Sequence, residues 1–149
     1  SPSGELGPDM YRIVQTPGAL IMLYEQIRNF REVYLDGRKP LVDPEPATLG
    51  YSTGHWDGDT LVVETVGFND ISWLQWQGYF HSNQMKVTER FTRVGDLLFY
   101  NFTVDDPEVL LEPWTQGTLV QRLLPAAGRV VEGDPCVVLP AGGDPYLRG

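Results

Sequence analysis

A chain of 149 residues, 42% hydrophobic and 21% charged, has the size and composition of one globular domain and enough length to bury a core without disulfide or metal. Its 11 Lys and Arg stand against 20 Asp and Glu, a net charge of −9, which argues against binding to nucleic acid or an anionic membrane surface, since both demand clustered cations. No apolar run approaches the ~18 residues of a membrane span.

Residues 1–10 are rich in Ser, Pro and Gly and read as an N-terminal arm. They open with Ser-Pro-Ser-Gly and no apolar leader, as expected of a processed or trimmed form. Residues 11–16 and 19–25 read as a hairpin across Pro17 and Gly18, whose fixed and then positive φ suit a type II turn. A third strand at 30–35 ends at Asp36 and Gly37. Three prolines make 39–46 a connection. Residues 49–56 and 60–66 form a hairpin over Asp57, Gly58 and Asp59, its second arm rich in β-branched side chains. Residues 67–83, with Phe68, Trp73, Trp76, Tyr79 and Phe80, read as an ordered aromatic loop. A further hairpin joins 85–94 to 97–104 across Gly95 and Asp96. After Asp105, Asp106 and Pro107 the chain returns through 115–124, and residues 125–149 form a Pro/Gly-rich C-terminal arm.

No stretch holds a helical period over ~11 residues. Successive hairpins imply nearest-neighbour antiparallel pairing. The expectation is a single all-β domain over 1–149, an antiparallel barrel in preference to a sandwich. It has roughly eight to ten strands of ~5–6 residues each, with its core in 11–124.

The chemistry-bearing residues are few. His55 and His81 are the two histidines. Asp57 or Asp59 could complete a metal set with them, but nothing fixes the spacing and no metal is assigned. His81 and Ser82 are adjacent and point to opposite faces of an extended chain; no Gly-x-Ser-x-Gly elbow is present, so His81 reads as structural. Asp105 with Asp106, and Asn69 with Asp70, either divide acid and base roles or cap turns, and the turn reading is preferred. In 85–94, alternation sets Val87, Glu89, Phe91 and Arg93 on one face, and Lys86, Thr88, Arg90 and Thr92 on the other. An inward Glu89 is costly unless paired, with Arg31, Arg12 or Arg122 as its candidate partner. Such a pair is the first place to look for a binding or acid–base site; the alternative is a charged edge strand that blocks unwanted pairing. Were the chain an enzyme, His81, Glu89, Arg90 and Asp70 would be its candidates for hydrolase or lyase chemistry. No catalytic residue or cofactor is assigned.

The 4 Trp, 7 Tyr and 6 Phe suit a cavity for a small apolar ligand or a subunit interface. The single cysteine, Cys136, sits beside Val137, Val138 and Leu139 and reads as a small buried hydrophobe or as a bond to another chain. Two functions follow. The first is a self-associating structural domain, an oligomer or filament whose arms donate a strand, either 119–124 or 136–139. The second is a lipocalin-like barrel that binds or converts a small apolar molecule among Trp73, Trp76, Tyr100 and Phe102.

Residues 11–18, 54–70, His81 and Ser82 with 87–91, Asp105 to Pro107, and Pro113 with Trp114 together resemble a family of small exported bacterial proteins, often multi-copy within a genome. The resemblance spans roughly 11–124. It implies a secreted or periplasmic location and transfers no catalytic residue, since the family has no assigned activity. The resemblance also implies a cysteine in a proline-rich stretch ahead of the first strand; the sequence here holds only Cys136, which leaves open whether that residue has lost an intrachain partner or pairs with another chain.

Overall fold

The computed structural model describes residues 11–24, 29–71 and 80–123. The arms at 1–10 and 125–149, with Cys136, Val137, Val138 and Leu139, lie outside the described residues, as do Trp73, Trp76 and Tyr79 of the aromatic loop.

Nine strands and no helix are found among the described residues: β1 (Tyr11–Gln15), β2 (Ala19–Tyr24), β3 (Asn29–Tyr34), β4 (Tyr51–Asp57), β5 (Thr60–Val66), β6 (Lys86–Val94), β7 (Leu97–Asp105), β8 (Trp114–Thr115) and β9 (Leu119–Arg122). They form one sheet in the order β1 to β8, with β9 also on β7, and it curls into a half-barrel. The all-β expectation holds.

The hairpins fall where turn chemistry sets them. Val94 pairs with Leu97 and Asp57 with Thr60, so each loop is two residues, with Gly95 and Gly58 at φ near +60° in first place. That is the glycine position of a type II′ turn, whose twist matches the strands it joins. The first hairpin departs from expectation. Gly18 is not in the left-handed region, so this is no type II turn. The amide and hydroxyl of Thr16 both donate to the Ala19 carbonyl, and the Gly18 carbonyl accepts from Leu35 N at 2.8 Å. Turning that carbonyl toward Leu35, just past β3, sets the peptide orientation.

Two further departures concern connectivity. The sheet is not wholly antiparallel, because β3 and β4 pair in parallel at Val33 with Ser52 and Tyr34 with Thr53. A parallel pair needs a crossover of a dozen or more residues, and residues 35–50, with Pro40, Pro44 and Pro46, supply it. The crossover ends against Gly67 (φ +74°), where a Cβ would lie 2.4 Å from Pro44 Cγ. The return strand expected at 115–124 is split into β8 and β9, which lie on opposite halves of β7.

Alternation sends one side of β2, β3, β5, β6 and β7 into the concavity. Leu20, Met22, Val33, Leu61, Val63, Phe91, Tyr100, Phe102 and Val104 make the core there, with Phe68 and Met85 packed against them. The convex side of β5 and β6 carries polar pairs around the buried Val62: Lys86 pairs with Glu64 at 2.7 Å and Thr60 bonds Thr92 at 2.8 Å.

Candidate functional site

Glu89 faces the core, as alternation in β6 requires, and its partner is Arg31 of β3. Arg31 Nη2 donates to Glu89 Oε2 and to Thr65 Oγ1 at 2.7 Å, while Nε donates to Ser52 Oγ at 2.8 Å. The two hydroxyls bond each other at 2.8 Å, and the Tyr100 hydroxyl donates to Glu89 Oε1 at 3.0 Å. Both ends of the pair are buried. Arg12 and Arg122, the other candidate partners, are exposed.

The electrostatics follow from this seclusion. Burial disfavours the charged guanidinium, but the adjacent carboxylate more than offsets it and holds Arg31 above its ordinary value. Tyr100 is raised by burial first and by the Glu89 charge second. Tyr24 is raised mainly by burial. Tyr11, on the same side of the sheet, is pushed up to about 12 by burial, with Tyr24 and Glu89 adding to it. These groups are held in one protonation state across the neutral range.

Arg31, Thr65, Glu89 and Tyr100 line a small cleft together with apolar side chains that include Phe68, Met85 and Phe102. The space between them, ≈ 20 Å³, admits about one water molecule. Ligand pockets are commonly ~300 Å³ or more.

The other sequence candidates do not gather at this pair. Arg90 is exposed on the far face of β6, and Asp70 is exposed beyond β5. His81 is buried, with Nδ1 3.1 Å from the Ser82 carbonyl and its ring edge-on to Phe68. Asp106 is a turn cap: it accepts from Ser82 N and Oγ, each at 2.7 Å, and from Glu108 N at 3.2 Å. His55, Asp57 and Asp59 are exposed at a hairpin end, and no metal-holding group of side chains occurs among the described residues.

The sheet's two ends form a second feature. Among the described residues no strand pairs with the outer edge of β1, or with those of β8 and β9. Ile13 and Val14 of β1 are 40% and 39% exposed, and Val120 of β9 is 57% exposed. The two ends meet through side chains, where the Tyr11 hydroxyl donates to Gln121 Oε1. Sequence reasoning missed this contact, since nothing local to either residue signals a partner 110 positions away. It also missed Ser52 and Thr65, which alternation run through β4 and β5 would have placed inward.

Comparison with family models, with curated proteins and with solved structures returns no match to this chain.

Proposed function

We propose that the chain is an extracytoplasmic structural domain that assembles with copies of itself by strand addition at the open ends of its sheet. The observation that carries this reading is the outer edge of β1. Proteins blunt such edges with Pro, bulges, inward charge or a covering element, because an unpaired row of N–H and C=O groups is a template for another strand. The sequence of β1, Tyr-Arg-Ile-Val-Gln, holds one charge, no proline and two exposed aliphatic side chains. Among the described residues no strand, proline or bulge covers this edge, and only the Tyr11–Gln121 side-chain contact reaches across from β9. Main-chain bonds along such an edge supply affinity, and alternate side chains supply specificity. The extracytoplasmic location rests on the family resemblance.

The test is the native mass across a concentration series, by light scattering and sedimentation, for the wild type and for Ile13→Lys and Val14→Lys. A lysine on an edge strand opposes further pairing and leaves the buried pair untouched. The wild type is expected to form large particles and both variants to fall to the 16.7 kDa monomer. A wild type that stays monomeric at every concentration overturns the reading.

A further inference from the structure

We propose that the outer edge of β1 is the seat for residues 136–139 of a second copy of this chain, so that subunits join head to tail. The inference rests on the self-association reading and names its donor and acceptor.

The acceptor follows from comparing the two ends of the sheet. At one end the edge is broken: β8 has two residues and β9 four, with 116–118 between them. Short edges template poorly. At the other end β1 offers five continuous residues with none at positive φ. Alternate N–H and C=O groups along it point away from β2.

The donor follows by elimination between the two apolar runs toward the C-terminal end. Residues Leu119–Arg122 are already paired with Leu97–Tyr100 in β7. The other run is Cys136, Val137, Val138 and Leu139, bounded by Pro135 and Pro140. Proline has no N–H and delimits a ladder, so this run offers four pairing residues against the five of β1. Its charge fits as well. The one charged side chain on β1 is Arg12, and the run is led by Glu132 and Asp134.

The tether is long enough. Twelve residues, 124–135, lie between Leu123 and Cys136, and the span is about 45 Å at full extension, more than the diameter of a domain this size. Such a tether reaches the β1 edge of a neighbour packed alongside. A donor at one end of the chain and an acceptor at the other make a heterologous contact, which repeats as an open polymer unless its rotation closes.

Because Cys136 is the single native thiol, it reports its own position. Ile13→Cys and Val14→Cys are made separately in the full chain, with Val94→Cys, exposed at the β6–β7 turn, as the reference. Under mild oxidation the two β1 variants are expected to give a ladder of multimers whose bond maps to Cys136. The rate should exceed the reference about tenfold or more, since a seated segment holds its thiol at a high effective concentration. Linking no faster than the reference overturns the inference. So does a bond within one chain, or equally fast dimerisation of Val14→Cys in a Cys136→Ser background, which marks edge-to-edge pairing of β1 instead. Wild-type sedimentation separates the two levels: a polymer without these links removes only this donor and acceptor, whereas a monomer removes the self-association reading beneath them.

Discussion

Arg31 and Glu89 bond directly although two whole strands, β4 and β5, lie between them in the sheet. In a flat sheet β3 and β6 would stand about 14 Å apart. The ion pair spans the concavity like a strut, and Ser52 and Thr65 beneath it come from the two strands it crosses. The curl and the pair therefore require each other: apolar faces drive the sheet to close, and the pair sets how far.

Breaking the strut on one side is expected to cost far more than removing it. Glu89→Leu leaves Arg31 buried and uncompensated, a loss of about 3–5 kcal/mol. Arg31→Met with Glu89→Leu, filling similar volume without charge, is expected to return to within about 1–2 kcal/mol of the wild type or better. Urea unfolding midpoints at fixed pH decide it. A single variant as stable as the wild type would mean that the pair does not support the curl.

Alkaline pH should expose the same interior. The pKa of Tyr11 rises from 10.0 unfolded to about 12 folded, and Tyr24 and Tyr100 also move upward. A group raised in the folded state contributes its full stability below its unfolded value. For Tyr11 that contribution is lost as pH climbs from 10.0 through about 12. Ultraviolet titration of tyrosinate is expected to show these rings ionising late and together with loss of far-ultraviolet β signal. Tyr11→Phe should flatten the stability loss across that window. Seven rings titrating near 10 in a still-folded chain would contradict the buried network.

Much of this arrangement was legible because it is local. Gly58 and Gly95 mark their turns, and alternation in β6 turns Glu89 inward between Val87 and Phe91. Its partner was left among Arg31, Arg12 and Arg122, and the fold decides it: Arg31 is two residues from the buried Val33, while Arg12 opposes the exposed Leu23. What was not legible depends on where the chain goes over a long connection, whose bends at Gly37 and 47–50 do not themselves dictate a strand pairing. Nothing in residues 35–50 says whether β4 returns beside β3 parallel or antiparallel. The division of the return strand depends on which half of β7 each piece meets, and the Tyr11–Gln121 contact exists only once the sheet has curled.

Asp106 offers a sharper test of the turn reading. Its carboxylate takes three hydrogen bonds, two from Ser82 and one from Glu108, and the residue is 1% exposed. Asp106→Ala leaves the part-buried Ser82 donors and the more exposed Glu108 amide without this acceptor, a cost of about 1–2 kcal/mol. Amide exchange should then accelerate at Ser82 and Glu108, with the β4–β5 amides protected as before. Unchanged exchange at both would remove the capping role.

Two glycines at positive φ separate strain from crowding. Gly58 (φ +59°) has nothing within 4 Å of an added Cβ, so Gly58→Ala carries only the left-handed penalty of about 1–2 kcal/mol. Gly67 (φ +74°) carries that penalty too, and its Cβ would meet Pro44 Cγ at 2.4 Å and Tyr51 Cδ2 at 3.1 Å. Proline is stiff and Tyr51 opens β4, so relief requires shifting the 35–50 crossover off the sheet. Gly67→Ala is therefore expected to cost several kcal/mol, by addition of overpacking to strain, and to loosen β3 from β4 before the hairpins. Thermal unfolding followed by exchange at Val33 and Tyr34 measures this. Equal losses for the two substitutions would mean that the crossover does not press on Gly67 in solution, and the parallel pairing would need another anchor.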